Sequence, residues 1–173
     1  MSSLSTVGER RLVLRMLDHW DNLRGDRRFP KMSEIDPETI GTDWPYCFLF
    51  RVGEHRSASL FQYVGEQVLH DSELPLSWLA SEDRSLVHCP DGSLLSRAIG
   101  HWTQVSQRRV PISMGDVYAD QPYTVKYRSI LLPMSSDGEQ IDAIVGAVNS
   151  RRAKEDTLAL TAQAAAARSA AAA

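Results

Sequence analysis

Residues 123–148 read Tyr-Thr-Val-Lys-Tyr-Arg-Ser-Ile-Leu-Leu-Pro-Met-Ser-Ser-Asp-Gly-Glu-Gln-Ile-Asp-Ala-Ile-Val-Gly-Ala-Val. Two stretches, 123–132 and 140–148, are dense in β-branched, aromatic and aliphatic residues. Between them Ser135-Ser136-Asp137-Gly138 supplies the residue types of a tight reversal, which predicts an antiparallel pair. In the first strand Val125, Tyr127, Ser129 and Leu131 share one face, and Lys126, Arg128, Ile130 and Leu132 the other. Both faces are partly apolar toward the C-terminal end, and a sheet with two apolar faces needs two covers.

Working outward, a third strand is predicted over 110–118, returning through Ala119-Asp120-Gln121-Pro122. Upstream, 93–107 is predicted as a helix with Leu94, Leu95, Ala98, Ile99, Trp102 and Val105 on its apolar face. Residues 65–92 are acidic and broken by Pro75 and Pro90, leaving room for short helices only. Before them, 46–52 and 57–64 are expected to pair as a hairpin around Gly53-Glu54-His55. Alternation there groups Tyr46, Phe48 and Phe50 against Cys47 and Leu49. Asp36-Pro37-Glu38 opens a helical turn that Gly41 closes. Residues 10–24 form an amphipathic helix with the stripe Val13, Met16, Leu17 and Trp20, and Gly25 stops it. The order implies an α+β layer architecture: about five antiparallel strands, helices across one face, and an N-terminal flanking helix.

The chain has 173 residues, 43% hydrophobic and 24% charged, which fits one globular domain. Residues 1–9 are expected to be a flexible N-terminus, 10–150 the domain, and 151–173 an alanine-rich tail forming a marginal helix or a frayed extension. Net charge is −3, with excesses of +3, −8 and +2 over residues 1–31, 32–91 and 92–173. That distribution lacks the basic footprint of non-specific nucleic-acid binding, so no nucleic-acid partner is expected. No run of 18 apolar residues occurs, so no membrane span is expected either. The N-terminus lacks the basic-then-apolar order of a secretory signal, and Cys47 and Cys89 make no disulfide framework. A cytoplasmic protein is the expectation.

Several blocks, in order, resemble one family. Leu17-Asp18-His19-Trp20-Asp21-Asn22-Leu23-Arg24-Gly25-Asp26-Arg27-Arg28-Phe29-Pro30 and Ile35-Asp36-Pro37 are similar to the opening of the PAS-like domain family of alphaproteobacteria. Trp44-Pro45-Tyr46-Cys47-Phe48-Leu49-Phe50 resembles its first strand, and Phe61-Gln62-Tyr63-Val64-Gly65 its second strand with the glycine that ends it. Tyr127 to Gly138 resembles the penultimate strand and turn, and Ile144-Val145-Gly146-Ala147 the last strand. The chain departs at Val64, where many relatives carry an arginine-containing stretch. The resemblance covers roughly 10–150 and implies a PAS-like fold, a sensory or regulatory role in signal transduction, and a helix-mediated homodimer. Val13, Met16, Leu17, Trp20, Ile130 and Leu132 are the residues assigned to that dimer interface. The alternative for the same stripe is packing within one chain.

The motifs of strong catalytic chemistry are missing: the sequence holds no glycine-rich phosphate loop, no His-Glu-x-x-His and no Gly-x-Ser-x-Gly elbow. Cys and His spacings make no zinc site, so neither an enzyme nor a metal site is expected. His101 would border the cavity of a PAS fold but adjoins Trp102 on a different helix face, which argues against haem ligation. Cys89 precedes a proline outside any flavin-recognising motif, which argues against a flavin adduct. The sequence identifies no cofactor. Arg24, Arg27, Arg28 and Lys31, and Arg108, Arg109, Arg151 and Arg152, are read as solvated loop charges.

The expected function is a non-catalytic sensory or regulatory domain that binds a small-molecule ligand, a signalling protein partner, or both. The ligand site is expected between the sheet's inner face and the helix 93–107. Its lining would be Phe48, Phe50, Tyr63, Leu95, Ile99, Trp102, Met114, Tyr127 and Ser129, with Tyr63, Tyr127 and Ser129 as polar handles. The alternative is an interaction module whose core is filled and holds no ligand.

Overall fold

The computed structural model describes residues 11–80 and 82–172, those of 155–161 by backbone alone. The expected flexible segment 1–9 lies outside the described residues. The elements run α1 (Leu12–Arg24), α2 (Pro37–Ile40), β1 (Cys47–Arg51), β2 (Leu60–Val64), α3 (Glu66–Asp71), α4 (Leu94–Ala98), α5 (Trp102–Arg108), β3 (Ile112–Asp120), β4 (Tyr123–Met134), β5 (Ala143–Lys154) and α6 (Glu155–Ala171), with short 3-10 turns between. The sheet has five strands in the order β2-β1-β5-β4-β3. β1 lies inside it, antiparallel to β2 on one side and to β5 on the other. This is the α+β arrangement that the sequence implies, with the first and last hairpins meeting along β1.

Several boundaries differ from the sequence reading; the strand expected over 57–64, for one, starts at Leu60 because Arg56–Ala58 forms a 3-10 turn. The helix expected over 93–107 is two helices, because Gly100 carries the poorest non-proline helix propensity. There Gly100 donates to the Arg97 carbonyl and Trp102 to the Ile99 carbonyl, three-residue turns that end α4 and start α5. The last strand starts at Ala143 because the loop before it is held closed. One Asp137 carboxylate oxygen accepts from the Ser135 hydroxyl and from the amides of Glu139 and Gln140 at 2.7–2.9 Å. That strand also runs on to Lys154, so the change of composition after Asn149 marks emergence into solvent and not the strand's end.

The chain divides into two units. One holds the residues up to Met114 together with Arg128–Asn149; the other holds Gly115–Tyr127 and the residues from Ser150 onward. Within the first, α1 lays Leu12, Val13, Met16 and Trp20 on Cys47, Leu49, Ile130, Leu132, Met134, Ala143, Val145 and Ala147. Two polar contacts fix the helix in place. Trp20 Nε1 donates to the Pro133 carbonyl at 2.8 Å, and Arg15 grips the Asp43 carboxylate through Nε and Nη2 at 2.7 and 2.8 Å. A planar guanidinium that meets both carboxylate oxygens sets orientation as well as distance. Within the second unit Tyr118 and Tyr127 meet edge to face at 6.0 Å. Arg152 pairs there with Asp120 and lies over the Tyr123 ring.

The stripe assigned to a dimer interface is therefore engaged within one chain. Val13, Met16, Trp20, Ile130 and Leu132 are members of that single buried cluster, and Leu17 packs half-buried against it. The outer sheet face needs a cover, and α1 is on hand to provide one at no translational cost. Among the described residues, no helix is long and apolar enough to cross a membrane.

Candidate functional site

The residues nominated for a ligand cavity separate into three groups. Phe48, Phe50, Leu95 and Ile99 are fully enclosed at 0% exposure, and Ser129 and Trp102 are buried. Phe48 and Phe50 lie on the face opposite Cys47 and Leu49. Their rings stack at 6.5 Å, and Phe50 meets Phe61 edge-on at 5.8 Å. Phe61 in turn meets Trp78 at 5.5 Å, so four aromatic rings form one continuous row. Neither Phe61 nor Trp78 was among the nominated residues. Met114 is half-buried on β3, and Tyr127 belongs to the second unit, where its partner is Tyr118.

Tyr63 is on the other face, and the reason is a bulge. Leu49 pairs with Tyr63 and Phe50 with Phe61, so the register skips Gln62. One extra residue in β2 reverses the alternation, and Phe61 and Tyr63, two apart, then point to opposite faces. Tyr46 also leaves the expected group: it ends the 3-10 turn Gly41–Tyr46 and packs half-buried against the outer cluster.

On that outer side Tyr63 stacks on Trp44, ring centroids 4.1 Å apart and planes within 10°, and its hydroxyl donates to the Trp44 carbonyl at 3.1 Å. Partial burial pushes the Tyr63 phenol up to about 12. The stack forms one wall of a groove of about 390 Å³ lined also by Pro45, Val64, Glu66, Leu69, Leu76 and Leu79. A second hollow of about 480 Å³, between Glu66, Gln67, His70, Leu74, Pro75 and Leu76, shares Glu66 and Leu76 with it. Gly65 permits the groove's geometry: a Cβ there would lie 2.1 Å from the Pro45 carbonyl oxygen, so no other residue lets β2 turn into α3 at that point.

Among the described residues, the contacts of the titratable groups converge on no reaction centre. The Cys47 thiol, donating to the Asp43 carbonyl at 3.3 Å, is pushed up to about 12 by desolvation and then by Asp43. Burial likewise raises Cys89 to about 11, against a smaller lowering by Ser93 and Arg56. Asp83, Ser85 and His88 stand together, but Ser85 Oγ and Asp83 Oδ1 both meet Nδ1 of His88, each at 2.9 Å. A nucleophile relay needs its hydroxyl and its carboxylate on opposite ring nitrogens. The trio instead closes the turn at Leu86–His88, where Asp83 also accepts from the Ser85 amide at 3.2 Å. Among the described residues, no group of three or more His, Cys, Asp or Glu is placed to hold a metal ion. The basic loop is engaged locally. Arg24 pairs with Asp21, and Arg27 pairs with Glu34, whose carboxyl it holds below the ordinary range.

No family model and no curated protein matches the chain. Among solved structures, an RNA-binding light-oxygen-voltage receptor is similar, with 15% sequence identity and a TM-score of 0.31 over 70% of this chain and 35% of that receptor. The chain thus spans well under half of the receptor's length.

Proposed function

We propose that this chain is a non-catalytic regulatory domain of the PAS type that acts by docking a partner protein, with its inner face closed by its own side chains. The row Phe48, Phe50, Phe61 and Trp78 carries the reading, because Phe48 and Phe50, two positions nominated for a ligand, are enclosed in a run of neighbouring rings. Phe48 presses so closely on β5 that even a methyl on Gly146 would overlap its ring. One polar handle of a ligand site is also turned away: Tyr63 faces the outer groove. The sequence blocks that resemble the alphaproteobacterial PAS-like family support the same regulatory class. Differential affinity of a partner for two arrangements of the domain would supply the regulation.

Native mass spectrometry of freshly purified protein, with an absorbance spectrum of the same sample, tests this. The expected mass is that of the polypeptide alone, with no visible absorbance. A stoichiometric co-purifying mass released by denaturation would overturn the filled-core reading in favour of a ligand sensor.

A further inference from the structure

We infer that the groove walled by the Trp44–Tyr63 stack receives a short leucine-bearing segment of a partner protein, flanked by lysine or arginine. The inference rests on the partner-docking reading above and gives that partner its chemistry. Leu76 is 74% exposed, the most exposed large hydrophobic side chain among the described residues. It stands where the two hollows adjoin, in the 3-10 turn Leu76–Ala80. With three residues per turn, Leu76 and Leu79 fall on one side of that turn, facing the groove. Trp78 falls on the other and packs against Phe61. The turn is thus anchored by one aromatic residue while it presents two leucines beside an aromatic wall. Such a concave apolar strip suits the apolar side of an amphipathic segment.

Charge decides the flanks. Glu66 lines both hollows, and residues 65–91 carry six acidic side chains against a single arginine. A segment with acidic flanks would be repelled, whereas one with basic flanks is attracted and steered on approach. The occupant is therefore basic at its ends and aliphatic at its centre.

The test uses the intact chain and two synthetic peptides sharing the same central leucines, one flanked by lysines and one by glutamates. Affinity is read by fluorescence anisotropy, and the site by the indole Nε1–H resonances of Trp44 and Trp102. The lysine-flanked peptide is expected to bind saturably, to shift Trp44 and leave Trp102 in place. The glutamate-flanked peptide should bind at least about tenfold more weakly. Leu76→Asp should weaken the lysine-flanked peptide by roughly tenfold or more with the unfolding midpoint unchanged, since so exposed a side chain adds little to the core. Glu66→Lys, also at an exposed position, should narrow or invert the preference between the peptides. No binding of the lysine-flanked peptide, equal binding of both peptides, or full affinity in both variants would overturn the assignment. A clean native mass spectrum beside any of those results would leave the partner-docking reading standing and remove only the groove. A released small molecule would remove that reading instead.

Discussion

Gly146→Ala is the sharpest probe of the proposed filling of the inner face. Gly146 lies opposite Phe48 across the β1–β5 ladder, and the Phe48 ring rests over it. A Cβ at position 146 would sit 2.2 Å from Phe48 Cζ and 2.3 Å from Cε2. Carbon atoms settle at about 3.5–4.0 Å, so the ring would have to withdraw by more than about 1 Å within a fully enclosed cluster. Overpacking of that kind costs about 1–3 kcal/mol. Alanine recovers about 0.5–1 kcal/mol over glycine in a strand interior, leaving a net loss of roughly 0.5–2 kcal/mol. For a chain of this length that lowers the melting temperature by about 1–8 °C. The decisive comparison repeats the substitution in a Phe48→Leu background. Leucine lacks the distal ring atoms that the methyl would strike, so Gly146→Ala should there be neutral or stabilising. The double-mutant cycle in urea should give a coupling of roughly 1–3 kcal/mol, as expected of side chains in direct contact. Wild-type stability in Gly146→Ala, or the same loss in both backgrounds, would refute the argument that Phe48 fills the inner face against β5.

Three further outcomes follow from the outer face and the buried thiols. His19 has a buried Nε2 with no hydrogen-bond partner, and desolvation lowers its pKa below 6.5 against a smaller opposing pull from Asp36. The folded state therefore takes up this proton less readily than the unfolded chain. The stabilisation is complete above about pH 6.5 and is lost as pH falls through the folded-state value. On acidification the urea midpoint of wild type should accordingly fall relative to that of His19→Gln, and parallel curves would contradict the assignment. Trp20→Phe removes the Nε1–H donated to the buried Pro133 carbonyl, which should cost about 1–3 kcal/mol in denaturant unfolding. An unchanged midpoint would mean that this bond does not fasten α1. Cys47 and Cys89 should react with an alkylating reagent at mildly alkaline pH roughly a hundredfold more slowly in the native protein than in urea, because burial suppresses both thiolates. Rapid labelling of native protein would place one of these thiols at the surface.

The elements that positioned the core were legible because they depend on period alone. Leu12, Val13, Met16 and Trp20 repeat at helical spacing and cover the sheet, and the alternation in 123–132 located both of its faces. Gly100 was visible in the sequence, yet one glycine costs only about 1 kcal/mol within a helix, too little to announce a break by itself. The Gln62 bulge left no such mark. Its neighbours read as a regular strand, and the skipped residue arises from how β2 meets β1, a tertiary choice. Trp78 is illegible in the sequence for a related reason. It lies in an acidic, proline-broken stretch where no period points inward, and only the fold brings it to Phe61. The groove was illegible because its walls come from Trp44, Tyr63 and Leu76, which share no element.

The bulge also joins the two halves of the functional reading. If β2 alternated regularly, Phe61 and Tyr63 would face the same way. Phe61 inward would then take Tyr63 inward with it, adding a phenol hydroxyl to the aromatic row and removing one wall of the groove. With Gln62 skipped, Phe61 completes the row under Phe50, and Tyr63 is released to stack on Trp44. Gly65 then allows the chain to pass against the Pro45 carbonyl and begin α3, whose Glu66 and Leu69 form the opposite lining. The aromatic row and the outer groove are thus one consequence of five consecutive residues, Phe61 to Gly65. Removing Gln62 should therefore disturb both together: the aromatic row would gain a buried hydroxyl, and the Trp44 ring would lose its stacking partner.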